Sequence, residues 1–280
     1  MTLLSSRRAR PVEPGLLSSA LEVAGRLAND ATDVITATAG RGAHPGTKDS
    51  PFDWVTDTDR TLERHTRRVL TSEFPGIPVV GEEYGSDVGA EAAEYRWVVD
   101  PVDGTANYVA GVPWCAYSLA LVDASGPVVG VVADPYRGQI YAAARGRGAR
   151  ANGSPVLLTE RARTAGAIVC TELARTGPWP GMGEFIERAA AAHAGVRVLG
   201  SAALSIAQVA LGHATAAVLH SYHEWDVAGA VALAIEAGAV VLDRHGEGSA
   251  LPADGLLVAA PGVADEVMGW WSGVTPLPTS

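Results

Sequence analysis

Residues 97–108 read Trp97-Val98-Val99-Asp100-Pro101-Val102-Asp103-Gly104-Thr105-Ala106-Asn107-Tyr108. The apolar run predicts a strand that ends at Asp100, with Pro101 forcing an extended turn. Asp103 and Gly104 then open a helix or helical turn. Two carboxylates three residues apart at a strand end can converge on one hard cation, because Mg²⁺ takes oxygen ligands and leaves room for water and phosphate. The Gly104-Thr105 pair offers backbone N–H groups to an anion. Asp-Pro and Asp-Gly are also ordinary turn and capping pairs, so the motif draws its meaning from its neighbours.

Working outward, residues 79–144 carry short β-type runs bounded by Gly, Pro or Asp, including PVVGVVADPYRGQIYAA, which predicts a hairpin. On the N-terminal side, residues 16–38 have helical spacing, residues 41–54 form a turn-rich loop, and residues 59–73 predict a second helix stopped by Pro75. On the C-terminal side, strands at AIVCTEL, RVLG and AAVLH alternate with helices at 183–193, 203–211 and 227–237. Strands in one half and alternating strands and helices in the other predict an α/β (α+β) protein. The seam is placed near 152–156, dividing the chain into an N-terminal half, 1–154, and a C-terminal half, 155–280.

Other acids flank the central motif. Glu82 and Glu83 follow the buried run ending at Val80, although paired acids often just face water. Thr56 and Asp59 stand at a helix entry, where capping alone explains them. Asp226 follows Trp225 at the start of an almost wholly apolar helix, as an N-cap or as a buried acid needing a positive partner, which a metal would supply.

The chain has 280 residues, a formal charge of −10 and 48% hydrophobic residues. This excludes a disordered acidic chain, and the lack of a basic stripe excludes a nucleic-acid binder. No disulfide or metal staple is required for folding. Cys115 and Cys170 lie in apolar runs and read as buried free thiols of a reducing compartment. No run approaches membrane-span length. The N-terminal Arg-Arg pair precedes a stretch too short and polar for export, so a cytoplasmic location is expected.

With these residues in place, the chain resembles the inositol monophosphatase family of Mg²⁺-dependent, lithium-sensitive phosphatases. DPVDGTANY at 100–108 and WDVAGAVALAIEAGA at 225–239 match its two signatures, and KDSPFDWVTDTD at 48–59, GEE at 81–83 and GRGARANGSPV at 146–156 follow its order. The likeness spans about residues 16–260. It implies a layered αβαβα sandwich of the inositol monophosphatase and fructose-1,6-bisphosphatase type.

Residue by residue, the resemblance implies that Glu82, Asp100 and the Val102 carbonyl bind one Mg²⁺, and that Asp100, Asp103 and Asp226 bind a second. A third, looser ion is implied near Glu82, with Glu83 in the adjoining shell. Asp59 and Thr105 would orient and deprotonate the attacking water. Asp103, Gly104 and Thr105 would surround the phosphate, whose backbone contacts are the N–H groups of Gly104 and Thr105. Gly200, Ser201 and Ala202 would meet the hydroxyl-bearing ring. The implied reaction is hydrolysis of a small polyol phosphate monoester by a homodimer, with no nucleic-acid or membrane partner and with inositol monophosphate leading.

The chain departs from the family pattern at Leu219, where inositol-specific members carry an acid six positions before the Trp-Asp pair. A loop shift would bring His220, His223 or Glu224 to the substrate instead. Histidinol phosphate, fructose 1,6-bisphosphate and adenosine 3′,5′-bisphosphate therefore remain alternative substrates. The non-enzymatic alternative is a catalytically idle metal- or ligand-binding protein, against which the intact acid set stands. No zinc motif occurs among residues 220–224. Lys48 reads as an electrostatic neighbour of the site, and Arg145, Arg147 and Arg150 as a solvated basic cluster.

Overall fold

The computed structural model describes residues 11–40, 45–47, 54–158, 163–174 and 177–273. The N-terminal Arg-Arg pair, His44, Lys48 and Asp53 lie outside the described residues. The chain enters through α1 (Pro14–Thr38), a short strand pair β1 (Gly46–Thr47) and β2 (Trp54–Val55), and α2 (Asp57–Glu73). Next come β3 (Val79–Gly81), β4 (Gly85–Ser86), β5 (Tyr95–Asp103) and α3 (Thr105–Ala110). The meander β6 (Ala116–Asp123), β7 (Gly126–Asp134), β8 (Gln139–Ala144), β9 (Ala149–Ala151) and β10 (Ser154–Val156) follows. Then come β11 (Ile168–Thr171), α4 (Met182–Ala191), β12 (Gly195–Val198), α5 (Ala202–Ala210) and β13 (Ala216–Leu219). The chain closes with α6 (Glu224–Ala237), β14 (Val240–Leu242), β15 (Leu256–Ala259) and α7 (Ala264–Ser272).

Eight strands form one sheet in the order β10-β9-β8-β7-β6-β5-β3-β4, and five form a second in the order β12-β11-β13-β15-β14. Every residue of β6 and β7 is buried, as a strand covered on both faces requires. Side chains alternate between the two faces. Trp97, Val99, Leu119, Leu121, Val129 and Val131 pack with the apolar stripe of α1 and with α2, whereas Val98, Ala120 and Val122 meet Ala228 of α6. Helices α5 and α6 also contact the second sheet, whose other side carries α4 and α7. The layers therefore run helix, sheet, helix, sheet, helix, and the expected sandwich is the observed one. Among the described residues, no helix is long and apolar enough to cross a membrane.

Three local expectations are corrected. Strand β5 does not stop at Asp100 but continues to Asp103, because an irregularity in its pairing with β6 absorbs Pro101. Helix α6 starts at Glu224, with His223 as N-cap and Asp226 as its third residue rather than its cap. Arg145 is no solvated surface residue: its guanidinium meets the Asp123 carboxylate at 2.7 Å, the two side chains being only 19% and 9% exposed. An arginine fork satisfies a buried carboxylate more completely than water at a sheet edge would.

Helix α6 rests so closely on β7 that a Cβ at Gly130 would lie 2.4 Å from the Gly229 carbonyl oxygen and 2.5 Å from the Ala232 Cβ. Both obstacles belong to the middle helix layer and have little room to give. Gly130→Ala is expected to destabilise the fold by about 1–3 kcal/mol through overpacking. A urea denaturation midpoint equal to that of the parent chain would contradict this packing.

Candidate active site

The pairing between β5 and β6 explains how the two acids of the central motif meet. Asp100 is opposite Ser118 and Asp103 is opposite Ala116, with a register shift between them. Three steps along β5 therefore match two along β6. Residues three apart in a regular strand face opposite sides, and the extra residue of this bulge returns Asp103 to the side of Asp100. The Asp100 carboxylate accepts the Val102 N–H at 3.0 Å, an Asx-type turn around Pro101.

Strand β3 lies parallel to β5 with Gly81 opposite Val99, so the next residue, Glu82, arrives at the level of Asp100. Burial pushes Asp100 well above the usual carboxylate range, and the charges of Glu82, Asp103 and Asp226 push it further. Asp103 is also raised well above that range, first by burial; Ser201 pulls against the shift and Asp226 adds to it. These mutual effects place Glu82, Asp100, Asp103 and Asp226 in one cluster.

Asp59 enters this cluster from α2. It is the third residue of the helix and forms a capping box with Thr56. One oxygen, Oδ2, accepts the Thr56 N–H at 2.9 Å and the Thr56 hydroxyl, which leaves Oδ1 to face Thr105. The Thr105 hydroxyl lies 3.3 Å from Asp59 Oδ1 and 3.0 Å from the Val102 carbonyl oxygen. Its single proton serves one acceptor at a time. Burial raises the Asp59 carboxyl to about 6; the Thr56 hydroxyl and N–H oppose this and the Glu82 charge assists it.

The C-terminal segments supply the remaining wall. Ser201 caps α5 and donates its hydroxyl to Asp103, which also accepts the Ala203 N–H at 2.8 Å and the Ala202 N–H at 3.3 Å. Gly104, with φ of +93°, is packed so that a Cβ would fall 2.8 Å from the Gly200 carbonyl oxygen. Gly200, Ser201 and Ala202 thus stand directly against Gly104 and Asp103. Asp226 Oδ2 accepts the His223 N–H at 2.7 Å.

Residues 219–224, expected to meet the substrate, are arranged differently. The ring of His223 is stacked on Trp225 at 4.5 Å. Glu224 is held by the guanidinium of Arg96, with Nε at 3.3 Å, across the boundary between α6 and the first sheet. His220 is stacked on Trp179 and bonded to Arg244. Leu219 is 1% exposed in the core.

Three residues that hold the site in place were not singled out in the sequence. Glu172 accepts the Gly200 N–H and the Ser205 hydroxyl, both at 2.7 Å. Glu63 and Arg67 brace the loop of Glu82 and Glu83. A signal for the pair exists: Asp59, Glu63 and Arg67 are spaced four apart and share one helix face.

Among the described residues, no group of three or more His, Cys, Asp or Glu side chains is oriented to hold a metal ion as it stands. Asp103 and Asp226 are turned to N–H donors at the starts of α5 and α6 instead. The donor set nevertheless fits a hard divalent cation: the four carboxylates of Glu82, Asp100, Asp103 and Asp226, with the Val102 carbonyl oxygen beside them.

The raised Asp59 has a measurable consequence. Between its ordinary value of 3.8 and about 6, the folded chain retains a proton that the unfolded chain has released. The stability so contributed is present below about pH 4 and lost as pH rises through about 6, a difference of about 3 kcal/mol. In EDTA the thermal midpoint should fall across this window, and Asp59→Asn should flatten part of the fall. A midpoint that climbs from pH 4 to pH 7 would contradict the assignment.

The chain matches the Inositol monophosphatase family over residues 16–269, a span that contains every acid of the cluster. It is 37% identical over 253 residues to the inositol-1-monophosphatase SuhB of Mycobacterium tuberculosis, covering 82% of this chain and 83% of the relative. It is 31% identical over 221 residues to the Nus factor SuhB of Pasteurella multocida, covering 78% and 82% respectively. Of solved structures, the IMPase of Thermotoga maritima superposes with a TM-score of 0.83 at 28% identity, over 91% of this chain and 97% of that one. The inositol monophosphatase of Anabaena (Nostoc) gives 0.81 at 28% identity, over 93% and 98%. The chain belongs to the inositol monophosphatase family, and with it to the phosphoric monoester hydrolases.

Proposed function

We propose that this chain hydrolyses a small polyol phosphate monoester, with inositol monophosphate first among candidates. The observation that carries the reading is the buried cluster of Glu82, Asp100, Asp103 and Asp226 beside the Asp59–Thr105 pair. Two to three Mg²⁺ ions would be held by those four carboxylates and the Val102 carbonyl oxygen, with Glu83 alongside. Bound there, Mg²⁺ would neutralise the phosphate and ease deprotonation of water.

The chain's own groups complete the chemistry. Asp59 Oδ1 and the Thr105 hydroxyl orient the attacking water and take its proton; a carboxyl near 6 is a competent base close to neutral pH. N–H groups of Gly104 and Thr105, at the first turn of α3 where no intrahelical acceptor exists, meet the phosphate oxygens together with the surroundings of Asp103. Gly200, Ser201 and Ala202 face the alcohol portion, and His223 and Glu224 complete that side. Cys115 and Cys170 are buried, with thiols raised to about 12 and about 11, mainly by burial, so neither serves as a nucleophile. Direct attack by water is the remaining route on this set of residues.

Within this reading, residues 1–154 supply all the metal ligands but Asp226, and 155–280 supply the substrate segment. The family likeness supports a homodimer. Leu219 lies in the core instead of presenting an acceptor to a polyol, and this keeps histidinol phosphate, fructose 1,6-bisphosphate and adenosine 3′,5′-bisphosphate in the test.

Phosphate release from these four esters, assayed with Mg²⁺ and again with lithium added, should be greatest for inositol monophosphate and should fall on lithium addition. Asp59→Asn should lower kcat by about a hundredfold or more. Absence of release from every ester would end the proposal, and a clear preference for another ester would replace the substrate.

A further inference from the structure

Helix α2 carries, one turn beyond Asp59, a carboxylate that the chemistry above does not use. Glu63 is fully buried. Its Oε2 accepts the Glu83 N–H at 2.7 Å, and its Oε1 accepts the Tyr84 N–H at 3.2 Å and the Arg67 Nε at 2.8 Å. Arg67 reaches on across the β3–β4 hairpin to the Gly85 carbonyl and to Asp87 Oδ1 at 2.8 Å. Asp87 in turn accepts the Val79 N–H at 2.9 Å. One buried ion pair therefore grips both strands of the hairpin whose tip bears Glu82 and Glu83.

The tip has an electrostatic reason to move away. The charge of Glu82 opposes those of Asp100 and Asp59, and a loop placing acids against an acidic cluster is repelled by it. Glu63 resists this through the loop's backbone, and Arg67 offsets the charge that Glu63 itself adds. Gly81 makes the contact possible: a Cβ there would lie 2.2 Å from Glu63 Oε1 and 2.4 Å from its carboxyl carbon.

We propose that Glu63, braced by Arg67, is a positioning residue that sets the affinity of the Glu82–Glu83 loop for a divalent cation. Because Asp59 and Glu63 share one face of α2, the same helix fixes both the base and the metal-binding loop. The inference rests on the reading of Glu82 and Glu83 given above.

Glu63→Gln tests it by chemistry: an amide brings N–H donors where a carboxylate accepts from three N–H groups, so at least one contact becomes donor against donor. Gly81→Ala tests it by volume, leaving Glu63 in place but displacing its carboxylate. Mg²⁺ is titrated against the thermal midpoint and, separately, against the rate, and amide hydrogen exchange is followed at Glu83 and Tyr84. In both variants half-saturating Mg²⁺ should rise about tenfold to a hundredfold, and the two amides should exchange faster. At saturating Mg²⁺, kcat and the substrate KM should stay within about twofold of the parent. If Glu63→Gln does not fold, Gly81→Ala decides alone. A folded variant with parental Mg²⁺ dependence overturns the proposal while leaving the site reading intact. A parent chain whose midpoint and rate ignore Mg²⁺ overturns both.

Discussion

Buried like charge is the constraint around which this molecule is organised. Asp59, Asp100 and Asp103 are each less than a tenth exposed, and three of the site's four clustered carboxylates raise the fourth. Such a group is costly to assemble unless positive potential is directed at it. Much of that potential comes from helix N-termini. Asp59 is the third residue of α2, Asp226 is the third residue of α6, and Asp103 accepts N–H groups from the first turn of α5. Three helix dipoles thus point their positive ends at one place.

This requirement ties the site to the layering. Helices α5 and α6 form the middle of the sandwich, wedged between the two sheets, and both begin at the acid cluster. Strand β5 delivers Asp100 and Asp103 from the sheet beneath, and its parallel neighbour β3 delivers Glu82. Close packing of α6 on β7, possible only with glycine at 130 and 229, sets how far Asp226 stands from the strand ends. The geometry of the acid cluster depends on the same contacts that close the core.

Much was legible beforehand because it depends on short-range pattern. Apolar runs bounded by Gly and Pro mark the strands, and the Thr56–Asp59 spacing marks a helix start. The two acidic signatures mark the cluster, through a likeness to a known family. Less legible were features that depend on partners distant in the chain. Glu224 was singled out as a substrate contact, and whether the Arg96 side chain would hold it could not be inferred from residues 128 apart. Arg145 looked like surface charge until Asp123, 22 residues earlier, came to face it. Glu63 and Glu172 resemble any acids of a helix and a strand end until the loops whose backbone N–H groups donate to them are known.

By itself the sequence determined the layered class, the family and the identity of the acids, because hydrophobic period and local motif are properties of neighbouring residues. Only the tertiary structure decided how those acids share space. The bulge at residues 100–103 turns two carboxylates to one side, parallel pairing brings Glu82 level with them, and α5 presents N–H groups to Asp103 from 99 and 100 residues away. These are long-range registers, set by which strand pairs with which and how closely helices can approach, and no local pattern of residues encodes them.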